Sequence, residues 1–128
     1  MLEDEKIEAI KNILLSKLNI KLIYIFGSFG KYIERKDSDI DFAILTEKKI
    51  DEYRLFMISQ KLADVLKKEI DLVDLNSASA VFRAEIVRKG KLIYYSDNLV
   101  RMDFQMKTLR DYARLNEERK EILGNKRL

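Results

Sequence analysis

The amino-acid sequence predicts an α/β fold with α+β character, built as a single domain from 128 residues. Three short apolar runs rich in β-prone residues, over 20–26, 40–45 and 70–75, predict buried strands. Around them, apolar residues recur at spacings of three and four, which is the period of an amphipathic helix. A chain of this length buries about two-thirds of the surface that it exposes when unfolded, so one compact core is expected.

Two helices are expected in the first half of the chain. Before the first strand, the apolar residues that fall on one helical face are Ile7, Ile10, Ile13, Leu14 and Leu18. A second helix is predicted over 51–68 by the same periodicity, with Asp51 near its start, where a carboxylate can cap free N–H groups. The polar stretch between the first two strands is expected to form a loop or a short helix.

A third helix is expected over roughly 78–88. Asn76 and Ser77 offer capping oxygens before it, and Gly90 would close it. A short strand over 92–96 should follow. Helices and strands therefore alternate through most of the chain, which supports the α/β assignment.

The last helix carries a stripe of apolar residues, namely Leu99, Met102, Met106, Leu109 and Ala113. Its simplest interpretation is the side of the helix that faces the core. Near the end of the chain, Leu115, Ile122 and Leu123 fit core packing and contact with a partner equally well. We expect residues 1–98 to form the core and residues 99–128 to form a C-terminal helix and charged tail of the same single domain.

The composition excludes several kinds of chemistry. The chain contains neither cysteine nor histidine, so disulfides, thiolate metal sites and imidazole catalysis are ruled out. Its net charge of +3 is the balance of 25 cationic and 22 anionic side chains. This charge is too evenly balanced to indicate nucleic-acid binding on its own. No stretch is long enough to span a membrane and nothing resembles a signal peptide. We therefore expect a cytoplasmic protein that binds neither membranes nor nucleic acid directly.

An Asp-x-Asp pair is the strongest chemical signal in the sequence. After Gly27 and Ser28 come ten residues, then Asp39 and Asp41 at the start of the second predicted strand. Residues i and i+2 of a strand project to the same side, so the two carboxylates should lie next to each other. Magnesium suits such a pair, because this ion prefers oxygen ligands and usually takes one or two carboxylates together with substrate phosphates.

Gly27 and Ser28 are predicted to bind those phosphates. Glycine allows the backbone to turn sharply and to approach a ligand closely. Where a strand ends and a helix can begin, free backbone N–H groups favour an anion such as a triphosphate. Lys31 could also contact the phosphates, although a lysine in a polar loop is more often simply solvated.

A third carboxylate would complete a site for two metal ions and would help to deprotonate an attacking hydroxyl group. The third predicted strand offers Asp71 and Asp74, which are three residues apart and therefore face opposite sides. At most one of them can join Asp39 and Asp41. We select Asp71, in part because of the family resemblance described next.

The segment IYIFGSFGKYIERKDSDIDFAIL resembles the signature of the polymerase-β-like nucleotidyltransferases, and DLVDLNSASAVFRAEIVRKGKLIYYS resembles its continuation in the MntA-type antitoxins. The resemblance implies a small mixed sheet flanked by helices, with a C-terminal helix. It implies that Gly27 and Ser28 bind the phosphates of ATP, and that Asp39, Asp41 and Asp71 hold magnesium, most simply as two ions. In many relatives the loop reads Gly-Ser-Arg-Ala-Arg-Gly, whereas here the last four places read Phe-Gly-Lys-Tyr.

The resemblance also implies a partner. MntA-type antitoxins pair with a HEPN toxin and silence it by attaching AMP to a tyrosine, so we expect a magnesium-dependent protein adenylyltransferase that forms a hetero-oligomer with such a toxin. Two alternatives stay open from the sequence. One is a catalytically weak antitoxin that neutralises its partner by binding alone, and the other is a transferase that acts on a small molecule.

Overall fold

The computed structural model describes residues 2–26 and 40–126. The elements follow in the order α1 (Leu2–Lys17), β1 (Ile20–Phe26), β2 (Ile40–Thr46), α2 (Glu52–Leu66), β3 (Ile70–Asp74), α3 (Ala80–Lys89), β4 (Lys91–Tyr95) and α4 (Asn98–Lys126). Each predicted strand and helix in the described ranges is present, with bounds shifted by a few residues. Within these ranges, no helix is both long and apolar enough to cross a membrane; the cytoplasmic location stays a prediction.

The four strands form one mixed sheet in the order β3-β2-β1-β4. β1 lies in the middle and pairs antiparallel with β2 on one side and with β4 on the other. β2 and β3 are parallel, and α2 makes the crossover between them. The predicted small mixed sheet flanked by helices is therefore confirmed. Because β2 and β3 are parallel, both of them begin at the same end of the sheet.

Helices cover both faces of the sheet. Alternate residues of each strand point to opposite sides, and the strands carry apolar residues on both sides. On one face, Phe42 and Ile44 of β2 pack with Leu14 of α1 and Leu62 of α2. On the other face, Ala43 packs in a second cluster whose other buried members are Leu22, Tyr24, Leu75, Ile86 and Phe104. The first face thus carries α1 and α2, and the second face carries α3 and α4.

The helix ends follow local capping rules. Asp51 caps α2 as predicted, because its Oδ2 accepts a hydrogen bond from the backbone N–H of Arg54 at 3.2 Å. The predicted cap of α3 is wrong: Ser79, rather than Asn76 or Ser77, accepts from the N–H of Phe82 at 3.1 Å. Gly90 closes α3 as predicted, and its N–H donates to the carbonyl of Ile86 at 2.8 Å.

The prediction for the last helix is wrong on one point. Met102, Met106 and Leu109 were expected to face the core, but they are exposed to solvent. The buried side of α4 instead carries Phe104 and Thr108. A helical stripe of apolar residues looks the same in sequence whether the chain's own core or another molecule covers it. The charged tail also continues the helix, since α4 extends to Lys126.

Candidate nucleotidyltransferase site

Three residues form a row across the end of the sheet where β2 and β3 begin. Phe26, the last residue of β1, is the register partner of Asp41 in β2, and Asp41 is in turn the partner of Asp71 in β3. Register partners on neighbouring strands project to the same face. The strands are about 4.8 Å apart, so the backbones of Asp41 and Asp71 stand next to each other. The parallel register therefore brings two carboxylate residues together from segments 30 positions apart.

The two aspartates project on the face that carries α3 and α4. Asp41 alternates with Ala43 along β2, and Ala43 belongs to the cluster on that face. Asp71 is exposed and Asp41 is half-buried. The apolar packing of this face reaches the row at Phe26 and leaves Asp71 open to solvent at the end of the sheet.

This pair fits a hard divalent cation. Carboxylate oxygens are the ligands that magnesium prefers, and protein sites for this ion commonly supply one or two of them. Asp39, the third predicted ligand, precedes Asp41 by two residues and lies outside the described residues. Within residues 2–26 and 40–126, no group of three or more potential metal-ligating side chains is found. The described part of the chain thus offers two neighbouring carboxylates, Asp41 and Asp71.

Four predicted site residues, Gly27, Ser28, Lys31 and Asp39, lie outside the described residues. Their positions in the chain are nevertheless informative. Gly27 directly follows Phe26, whose register partner is Asp41, and Asp39 stands two residues before Asp41. The described residues on either side of this segment, Phe26 and Ile40, therefore lie beside the aspartate pair. Their roles stay predictions.

Asp74 has a different environment from Asp71. Its side chain is buried and accepts hydrogen bonds from the backbone N–H of Ile50 at 2.9 Å and of Asn76 at 3.0 Å. The hydroxyl group of Ser77 donates to the same carboxylate at 3.3 Å. Asp74 therefore holds together the loops that follow β2 and β3, at the end of the sheet away from Asp41. Of the two carboxylates that the sequence left open, Asp71 is the one beside Asp41.

A group of aromatic side chains beside the acidic row was not predicted from the sequence. The ring of Phe26 meets Phe82 of α3 edge to face, with centroids 5.4 Å apart. Two residues earlier on the same face, Tyr24 is buried and its hydroxyl oxygen accepts a hydrogen bond from Gln105 of α4 at 3.1 Å. Burial raises the pKa of Tyr24, and the bond from Gln105 and the charge of Arg101 oppose that rise. The spacing of Tyr24 and Phe26, two residues apart on β1, could have indicated that both aromatic side chains project to the same face of the sheet.

Comparisons with known proteins agree with this geometry. The profile of the family described as "Polymerase beta, Nucleotidyltransferase" matches residues 8–99. The chain therefore belongs to the polymerase beta nucleotidyltransferase family. Among its relatives, the protein adenylyltransferase MntA of Shewanella oneidensis is 36% identical over 106 residues, which are 83% of this chain and 76% of that protein. The predicted resemblance to MntA-type antitoxins is confirmed.

Solved structures of toxin–antitoxin complexes contain chains with the same fold. One such structure, of a toxin–antitoxin with AMP-PNP, matches with a TM-score of 0.81 and 34% identity, over 92% of this chain and 95% of that chain. Another, of a tri-AMPylated Shewanella oneidensis HEPN toxin in complex with MNT antitoxin, matches with a TM-score of 0.79 and 33% identity, over 98% of each chain. The predicted polymerase-β-like fold is confirmed, including its C-terminal helix.

Proposed function

We propose that this protein is an antitoxin that transfers AMP from ATP to a hydroxyl group, most simply that of a tyrosine, on a partner HEPN toxin. The observation that carries the proposal is the register pairing of Asp41 with Asp71 at an open end of the sheet. Support comes from the relatives, since one is an adenylyltransferase and another is an antitoxin in complex with an AMPylated HEPN toxin. A small-molecule transferase finds no comparable support.

In the proposed site, the aspartates bind the metal and the segment that begins at Gly27 binds the phosphates. Asp39, Asp41 and Asp71 would hold magnesium, most simply two ions, which supply positive charge against the phosphates of ATP. Gly27 and Ser28 would bind the phosphates through backbone N–H groups. Lys31 would add a positive charge nearby. The pairing of Phe26 with Asp41 supports this arrangement, because Phe26 directly precedes Gly27 in the chain.

Asp71 would accept the proton of the attacking hydroxyl group. A tyrosine hydroxyl titrates near pH 10, so at neutral pH it needs a base in order to attack efficiently. The hydroxyl oxygen forms a bond to the α-phosphorus of ATP while the bond to pyrophosphate breaks, and the proton passes to the Asp71 carboxylate. An exposed carboxylate such as Asp71 can be reached by a hydroxyl that another protein presents.

The test is to mix the purified protein with ATP, magnesium and a HEPN toxin from the same organism, and to measure the intact mass of the toxin. We expect a gain of one or more AMP units. Asp71→Asn should retain toxin binding and lose the mass gain. Asp64→Asn is the matched control, because Asp64 is an exposed carboxylate on α2, and it should behave as the wild type. Tight binding without any mass gain in the wild type would instead identify a binding-only antitoxin.

A further inference from the structure

A row of apolar side chains on α4 faces solvent. Leu99, Met102, Met106 and Leu109, called the α4 stripe from here on, are each between 44% and 73% exposed. They lie on the side of the helix opposite the buried Phe104, because successive residues are about 100° apart around a helix. Soluble proteins seldom expose several large apolar side chains together unless another molecule covers them. The α4 stripe is therefore a candidate interaction surface.

A second exposed apolar surface lies on α2. Tyr53, Phe56 and Met57, called the α2 patch, are between 49% and 70% exposed. The two surfaces differ in their relation to the proposed active site. α2 packs on the face of the sheet opposite to the one on which Asp41 and Asp71 project, whereas α4 packs on the same face. The α4 stripe therefore lies on a helix of the face on which the aspartate pair projects, and the α2 patch does not.

We propose that the α4 stripe is the docking surface for the protein that carries the acceptor hydroxyl group, a HEPN toxin. This inference rests on the proposed function, because it assumes that the acceptor belongs to a protein. Asp71 is exposed and projects on the α3 and α4 side of the sheet, so a toxin bound along α4 would lie on the side from which its tyrosine can approach this carboxylate. Methionine and leucine side chains suit such a contact, since methionine is enriched at protein interfaces and adapts its shape to a partner.

The surroundings of the stripe match an interface in charge and extent. Asp103, Lys107 and Arg110 border it, and a charged rim around an apolar centre is typical of protein interfaces. The stripe itself covers less than the roughly 800 Å² that each partner contributes to a standard interface. The rest of α4 adds exposed surface to the stripe. The 29 residues of this helix span about 44 Å, and every described residue from Glu117 to Gly124 is exposed.

Relatives also favour a toxin over a second copy as the occupant. The antitoxin chain solved with an AMPylated HEPN toxin aligns with 98% of this chain, so the alignment includes α4. A chain of the MntA–HepT complex aligns with 95% of it, at a TM-score of 0.78. In both cases a chain with a matching C-terminal helix occurs together with a toxin. A second copy of this protein is the alternative occupant that the experiment must detect.

The test compares two double variants in the full-length protein. Met102→Glu with Met106→Glu places charges in the α4 stripe, and Phe56→Glu with Met57→Glu does the same in the α2 patch. Calorimetry with the same HEPN toxin gives the affinity of each variant. We expect at least tenfold weaker toxin binding for the stripe variant and an affinity within twofold of wild type for the patch variant. All four positions are exposed, so both variants should fold, and thermal unfolding is the check.

Kinetics separates docking from catalysis. With the stripe variant, the rate of AMP transfer should fall at low toxin concentration and recover as the toxin concentration rises. The variant should therefore have a higher KM for the toxin. Asp71→Asn should lose transfer at every toxin concentration. If the wild type binds toxin through the stripe but transfers no AMP, the proposed function fails while the docking surface stands. Unchanged toxin affinity in the stripe variant overturns the inference, and a dimer that this variant dissociates would identify a second copy as the occupant.

Discussion

Asp71 and Asp74 lie three residues apart on β3 and project to opposite faces of the sheet, one exposed beside Asp41 and the other buried under backbone hydrogen bonds. Two identical side chains on one strand are thus used for different purposes. The exposed carboxylate is available to a metal ion and a substrate, while the buried one fixes the turns at the far end of the sheet. This difference makes the two residues separable by experiment.

Asp74→Ala should destabilise the fold by about 2–3 kcal/mol, because it leaves the buried N–H of Ile50 and the polar groups around it without their charged acceptor. Asp71→Ala is the matched control on the same strand. It should change the free energy of unfolding by no more than about 0.5 kcal/mol, as exposed substitutions usually do. Urea denaturation of both variants measures the difference, and equal midpoints would contradict the structural role of Asp74.

Gly90→Ala should destabilise the protein by about 1–3 kcal/mol through a steric clash. A Cβ atom at this position would lie 2.6 Å from the carbonyl oxygen of Ile86 and 3.3 Å from that of Ile25. Both obstacles are backbone atoms, which cannot move aside as a side chain can. The midpoint of thermal unfolding should fall accordingly.

Gly124 provides the matched control for that substitution. A Cβ atom there would meet nothing within 4 Å, and the residue lies within α4. Gly124→Ala should therefore leave the stability unchanged or raise it by up to about 1 kcal/mol, since alanine favours the helix more than glycine does. A loss of stability in Gly124→Ala as large as in Gly90→Ala would disprove the steric explanation.

The order of strands and helices could be predicted because it depends on local periodicity. The cap of α3 could not, because Ser77 and Ser79 are both suitable in sequence. The hydroxyl group of Ser77 instead donates to the carboxylate of Asp74, which is itself held by the backbone N–H of Ile50 from 24 residues away, and Ser79 is left as the cap. The same limit applies to the site. The spacing of Asp39 and Asp41 is local, whereas the pairing of Asp41 with Asp71 depends on the register of two strands joined by a helix.

Tyr24→Phe should cost about 0.5–1.5 kcal/mol at neutral pH, because it removes the hydroxyl group that accepts a hydrogen bond from Gln105. Burial raises the pKa of Tyr24 above its ordinary value of 10.0, so folding favours the protonated side chain. The stability that Tyr24 contributes is therefore complete below pH 10 and is lost as the pH rises from there toward the folded-state pKa.

The measurement is urea denaturation of the wild type and Tyr24→Phe at pH 7, 9, 10 and 11. The difference in unfolding free energy should stay constant up to about pH 9 and decrease above about pH 10. Comparison with the phenylalanine variant removes the contribution of lysines that titrate in the same range. A difference that grows with pH would mean that the hydroxyl group is held in its ionised form.

Asp41→Asn should weaken magnesium-dependent ATP binding strongly while the fold stays intact, because the substitution removes one of the two neighbouring carboxylates at the open end of the sheet. The same result is expected for Asp39→Asn, which stands two residues earlier in the chain. ATP binding should be followed by calorimetry at increasing magnesium concentration, with Asp64→Asn as the control for loss of a negative charge elsewhere. Gly27→Val, measured in the same way, should weaken ATP binding at every magnesium concentration, because it acts on the phosphates rather than on the metal. If the Asp39 and Asp41 double variant bound ATP with an unchanged dependence on magnesium, the assignment of these carboxylates as metal ligands would be wrong, whatever the toxin experiment gave.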